Sequence, residues 1–117
     1  MRDITSDIAQ CVIDSSIQNG VCFVYVPHTT AGVTINENAD PSVRQDMLLA
    51  LTSIVPDSLP YQHAEGNSPA HVKASLMGSS LQVLIQEGRL VLGTWQGIYF
   101  CEFDGPRTRR ILISCRE

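Results

Sequence analysis

The sequence of 117 residues predicts a single α+β domain, with helices gathered early and an antiparallel meander late. Three observations carry this. Two segments, around Ile4 and Val43, place apolar residues at helical spacing. The run Val21 to Val26 is apolar at every position and rich in β-formers, and the stretch after Leu81 alternates short β-rich runs with glycine-bearing turns.

The elements follow in order. Ile4, Ile8, Cys11 and Val12 mark an amphipathic first helix, with Thr5 to Asp7 able to cap it and Gly20 beyond its end. Val21 to Val26 reads as a strand covered on both faces, and Thr30 to Ile35 continues extended. Asp40-Pro41 supplies an N-cap with proline at the first helical position, and Val43, Met47, Leu48, Leu51, Ile54 and Val55 form the expected buried stripe of a second helix. Pro56, Pro60, Gly66 and Pro69 then break regular structure across a long loop, of the kind that tends to carry function. Ser68-Pro69 opens a third, short helix through His71, Lys73 and Leu76 that should stop at Gly78. Leu81 to Gln86, Arg89 to Trp95, Ile98 to Phe103 and Arg109 to Cys115 read as four strands, with turns at Glu87-Gly88, Gln96-Gly97 and Asp104-Gly105-Pro106.

Composition narrows the function classes. A net charge of -4 gives no blanket attraction to nucleic acid or anionic lipid, so neither is expected as a partner. No apolar run approaches a membrane span, and Met1 leads into a polar, mixed-charge segment instead of a secretion signal, which places the chain in the cytoplasm. Cys11, Cys22, Cys101 and Cys115 are widely separated among apolar neighbours without a C-x-x-C pair, the pattern of reduced, buried thiols.

The chemistry-bearing residues cluster in two places. Tyr61 to Lys73 holds His63 and His71 with Glu65, Asn67 and Lys73, and histidine both exchanges protons near neutral pH and binds metals. The third histidine, His28, closes the apolar strand, so all three imidazoles can converge on one site only through tertiary structure. Taken singly, His63 reads as a surface loop residue and His71 as a helix residue bonded to backbone; it is the company of Glu65, Asn67 and Lys73 that favours a functional site. The second cluster runs from His28 and Thr29 to Asn36, Glu37 and Asp40, where a strand emerges and a helix begins; N-capping alone accounts for Asp40, and the helix dipole for Asp46. Arg107, Arg109 and Arg110 form the only basic cluster, suited to phosphate oxygens, and Trp95-Gln96 reads as a core aromatic followed by a turn.

Three blocks, HTTAGVTINENADPSVRQD, EGNSPAHVKASLMG and GRLVLGTWQGIYFCEFDGPRTRR, occur in order between His28 and Arg110, and together they resemble the YjbQ family. The resemblance implies a small α+β homotrimer of largely antiparallel sheets with two to three helices, in which relatives carry one more N-terminal strand before Asp3-Ile4-Thr5. It also implies a secondary thiamine-phosphate synthase, a transferase joining a hydroxymethylpyrimidine diphosphate to a thiazole phosphate, so that a phosphate-bearing small molecule is the expected substrate. The family's polar motif positions match at His28, Thr29, Asn36, Glu37, Asp40, Asp46, His63, Asn67, His71, Lys73, Trp95, Gln96 and Arg107. On that basis His63, His71, Glu37 and Asp46 are the expected catalytic residues, and Thr29, Asn36, Asn67, Lys73, Trp95, Gln96 and Arg107 the substrate-binding ones. A divalent metal is expected either as Zn2+ on His28, His63 and His71 or as Mg2+ on Glu37, Asp40 and Asp46. The alternative from another class is a trimeric protein that binds a metal or small ligand, with only incidental synthase activity.

Overall fold

A computed structural model describes all of residues 1–117. Its elements in chain order are β1 (Arg2–Asp3), α1 (Thr5–Ser15), β2 (Gly20–Tyr25), β3 (Ala31–Glu37), α2 (Pro41–Ile54), α3 (Ser68–Met77), β4 (Ser80–Gln86), β5 (Arg89–Leu90), β6 (Gln96–Glu102) and β7 (Leu112–Arg116). The strands form two antiparallel sheets, one ordered β1-β6-β3 and the other β5-β4-β2-β7.

The late meander is therefore corrected. Only β4 and β5 join as a hairpin, through Glu87 and Gly88, whose φ values of 51° and 74° suit the twist-matched turn that two-residue hairpins favour. β6 departs to the other sheet and β7 pairs with β2. Gln96-Gly97, expected as a turn, lies inside β6. Gly97 is needed there because a Cβ would stand 2.5 Å from the Asn38 amide nitrogen, a close approach that sequence cannot distinguish from a bend.

The core lies between α1 and the sheets. Ile4, Ile8 and Val12 meet Cys22, Val24 and Val26 of β2 and its following residue, Val33 of β3, Val83 and Ile85 of β4, and Ile98 of β6. Ile4 holds the N-cap position of α1, and its apolar side chain cannot cap; Asp3 accepts from the Thr5 N–H at 2.9 Å instead. The helix ends at Ser16 in the left-handed region, with φ 61°, before reaching Gly20. Against the outer side of β3 packs α3, and Gly32 makes that approach possible: its hydrogen faces the Gly78 carbonyl, where a Cβ would come to 2.7 Å. That carbonyl accepts from the Val33 N–H at 3.0 Å, fixing the end of α3 against the strand.

Two expectations of burial fail for one reason. Asp40 caps α2 as expected, accepting from the Ser42 N–H at 2.9 Å, with Pro41 first in the helix. Yet α2 buries none of its residues, and Leu49 and Ile54 are 70% and 68% exposed; only Val55, just past its end, is buried. β2 is likewise covered on one face only, leaving Phe23 and Tyr25 exposed. The helix stands off the body, held near its start by Arg44, which donates to the Met1 carbonyl at 3.3 Å and lies 5.6 Å over the Tyr99 ring. The radius of gyration is accordingly 15.6 Å, against about 13.4 Å for a compact chain of this length.

A histidine-lined candidate active site

Where β2 leaves its sheet, the residues Pro27 to Thr30 cross to β3 in the other sheet. That crossing brings His28 beside the start of α3 and the loop between β6 and β7. A polar pocket of about 780 Å³ opens there, walled by His28, Thr29 and Thr30, by His63, Glu65 and Asn67 from the loop and helix start, by His71 of α3, and by Asp104, Arg107 and Arg109.

His63 and His71 meet edge to face with ring centroids 5.4 Å apart. The eight-residue spacing excludes a pair on one helix; instead the chain turns back at Gly66, whose φ of 75° favours glycine, before α3 begins. His28 is positioned differently, since its Nε2 accepts from the Arg110 N–H at 2.8 Å. An accepting Nε2 carries no proton, so neutral His28 is protonated at Nδ1.

Charge in the pocket is tightly paired. Asn67 donates from Nδ2 to Asp104 at 2.8 Å, and Arg107 donates to the same carboxylate at 2.9 Å and to the Asp104 carbonyl at 3.0 Å. The Asn67 hydrogen bond, with the cation of Arg107 beside it, holds the Asp104 carboxyl below the usual carboxylate range. The Asn67 Oδ1 is buried without a protein donor, an arrangement that calls for a donor from solvent or a ligand. Behind them Arg109 grips Glu102 through Nε at 2.7 Å and through Nη2, and reaches the Thr30 hydroxyl at 2.8 Å. These bonds depress Glu102 and raise Arg109 from their ordinary values. Nothing in the one-dimensional pattern pairs Arg109 with Glu102 and Thr30, nor Asn67 with Asp104. Only the position of Arg109 in the basic cluster pointed toward this network.

Of the sequence-predicted site residues, the fold brings His28, Thr29, His63, Asn67, His71 and Arg107 to this pocket. It leaves the others elsewhere. Asn36 and Glu37 end β3, where the Asn36 side chain accepts from the Glu37 N–H and the Glu37 carbonyl accepts from the Tyr99 hydroxyl. Asp40 is spent on capping α2, and Asp46 is exposed on that helix. Gln96 folds its Oε1 back to accept from the Gly93 N–H, Lys73 is half-buried on α3 outside the pocket, and Trp95 is 62% exposed instead of lying in the core.

Neither expected metal set assembles. No three histidine, cysteine, aspartate or glutamate side chains are grouped to hold an ion. In the zinc-type set the His28 Nε2 accepts from the Arg110 N–H, and in the magnesium-type set one Asp40 oxygen accepts from Ser42.

Comparison with known proteins places this architecture. The model of the family described as UPF0047 protein YjbQ-like matches residues 1–117. A UPF0047 protein of Methanocaldococcus jannaschii is 50% identical over 96% of this chain and 81% of its own length, and the UPF0047 protein YugU of Bacillus subtilis is 52% identical over 97% and 87%. The crystal structure of a YjbQ/UPF0047 member from Clostridium acetobutylicum, 54% identical, superposes with a TM-score of 0.96 over 98% of this chain and 89% of that one. A conserved hypothetical protein from Thermus thermophilus, 41% identical, gives 0.91 over 98% and 90%. These findings correct the functional expectation: the relatives are named only as UPF0047 proteins, and a Sulfolobus solfataricus structure, 35% identical with a TM-score of 0.89, is described as a YbjQ-like protein of unknown function. Nothing in these relatives supports thiamine-phosphate synthesis, thiamine biosynthesis or a transferase role, and that expectation is overturned. What the comparisons carry is kinship, and the chain belongs to the UPF0047 YjbQ-like family.

Proposed function

We propose that the histidine-lined pocket takes up a small phosphate-bearing molecule and that His63 and His71 exchange protons with it. The observation that carries this reading is the edge-to-face imidazole pair, 5.4 Å between centroids, in a pocket that also holds Arg107. Arg107 spends only part of its donor fork on Asp104, and its remaining N–H groups are available to phosphate oxygens. The unpaired Asn67 Oδ1 accepts from a ligand hydroxyl, and the Thr29 and Thr30 side chains add short-range polar contacts. Paired charges behind the pocket hold its donors in place without ligand, which lowers the ordering cost of binding.

In the same reading the chain works as a homotrimer. Its support is the uncovered apolar surface: Leu49 and Ile54 of α2, together with Phe23, Tyr25, Leu84 and Leu112 on the outer face of the larger sheet, are all more than two fifths exposed. A second copy of the chain supplies the cover that one chain lacks.

The test is calorimetric titration with ribose 5-phosphate as probe. Saturable binding that weakens about tenfold in Arg107→Ala, the loss of roughly one charge-assisted hydrogen bond, is the expected result. Equal affinity for ribose and ribose 5-phosphate, or no heat at millimolar probe, overturns it.

A further inference from the structure

Cys22 and Cys115 stand directly opposite each other in the antiparallel pairing of β2 with β7. Which kind of pair they form follows from the other side of β2. The Val26 N–H bonds the Ser79 carbonyl at 2.7 Å, and the register continues through Val24 with Leu81 and Cys22 with Val83. Even-numbered residues of β2 thus turn their backbone groups toward β4, and Val21, Phe23 and Tyr25 turn theirs toward β7. Against β7, Cys22 and Cys115 are a non-hydrogen-bonded pair. Such pairs have Cα atoms about 4.5 Å apart with side chains on one face, within the span of about 4.4–6.8 Å that a disulfide bridges.

We propose that Cys22 and Cys115 are a reversible redox pair that closes as a cross-strand disulfide when the protein meets a small-molecule disulfide. Both thiols are free in the reduced chain. They differ in access: Cys22 is fully buried, while Cys115 is half-buried on a strand at the sheet's edge. Cys115, the thiol that a small molecule can reach, makes the first attack, while burial first, and then the adjoining Cys115 thiol, pushes Cys22 up to about 12. Its thiolate cleaves the oxidant's S–S bond, forming a mixed disulfide and releasing one thiolate. Cys22 then gives up its proton to solvent and attacks the Cys115 Sγ, expelling the second. Two electrons and two protons leave the cysteines, and the small disulfide is reduced to two thiols.

Cys101 is an internal control. It lies in the other sheet, fully buried beside the Tyr99 carbonyl, and burial pushes its thiol up to about 11. Cys11, half-buried on α1, is a third sulfur near Cys22, but it has no cross-strand partner. The bridge would bind the edge strand to the strand leading into His28, the two segments that hold the His28–Arg110 contact.

The experiment exposes the full chain, natively folded, to oxidised glutathione, alkylates the remaining thiols and maps peptides without reduction. The expected result is an intact mass lower by two hydrogens, one linked pair joining Cys22 to Cys115, reversal by reductant, and a melting temperature higher by about 5 °C or more in the oxidised form. Cys11→Ser should keep the link and Cys115→Ser abolish it. Four free thiols after treatment, a persistent glutathione adduct, or a link through Cys11 or Cys101 overturns the proposal. Where Cys115→Ser fails to fold, the peptide map of the unsubstituted chain decides alone.

Discussion

Replacing Arg109 with Met keeps most of the side-chain stem and removes the guanidinium that ties Glu102 to Thr30. The pair is well shielded, with the arginine side chain 11% and the glutamate 29% exposed. Breaking a buried pair by removing one partner costs about 3–5 kcal/mol, because the other charge is left uncompensated. Glu102 retains some contact with water and keeps the Asp104 N–H as a donor at 3.0 Å, so the cost falls just below that range, at about 2–3 kcal/mol. At an unfolding entropy of about 2.1 cal/mol/K per residue, a chain of this length loses about 4 °C per kcal/mol, giving a fall of about 8–12 °C in Tm at fixed protein concentration.

The pH dependence gives a second readout with a definite sign. Hydrogen bonds from Arg109 hold the folded-state carboxyl of Glu102 below its ordinary value of 4.5. Its contribution is present above that ordinary value and lost as pH falls through the depressed one. Arg109→Met removes most of the depression, so the gap in Tm between the two proteins should narrow on acidification below 4.5. Calorimetric scans across that range check both points. A fall in Tm under about 2 °C at neutral pH, or a gap that stays constant into acid, refutes the network as described.

Gly32→Ala places a Cβ against the Gly78 carbonyl at 2.7 Å, and should cost about 1–3 kcal/mol by denaturant titration while shifting the α3 backbone signals that carry His71. In α2, Leu49→Glu with Ile54→Glu alters residues that are 70% and 68% exposed within one chain, so on the proposed trimer the sedimentation mass should fall to that of a monomer with the circular dichroism unchanged; an unchanged mass removes that helix from the proposed interface. His28→Ala deprives the Arg110 N–H of its acceptor and should lose about 0.5–1.5 kcal/mol in denaturant titration. His28→Gln, which retains an acceptor, should recover part of that loss.

Local chemistry made much of the fold legible. Asp40-Pro41 announced α2, Glu87-Gly88 announced the hairpin, and the apolar run Val21 to Val26 announced the central strand, because each signal depends on residues adjacent in sequence. Burial was less legible. The apolar stripe of α2 and the second face of β2 gave the correct elements with the wrong cover, since sequence periodicity records that a face is apolar and is silent on what meets it. The sheet assignment failed for a related reason: a short connection between β5 and β6 looks like a hairpin, whereas β6 pairs with β3 and β1 across the domain.

The site divides the same way. His63 and His71 were legible as a dense polar segment, and His28 as the end of a buried strand. Arg109 with Glu102 and Thr30, and Asn67 with Asp104, join residues from different strands and loops, and no spacing rule connects them. The acidic residues Glu37, Asp40 and Asp46 looked like a cation site because they are close in sequence. In the fold one ends a strand, one caps a helix and one faces outward.

Nuclear magnetic resonance of the histidine side chains during titration with ribose 5-phosphate tests the central claim most directly. The His63 and His71 imidazole signals should move together and saturably, with about tenfold weaker response in Arg107→Ala. Imidazole signals that stay fixed at millimolar probe, or that move with the same affinity when Arg107 is gone, would contradict it.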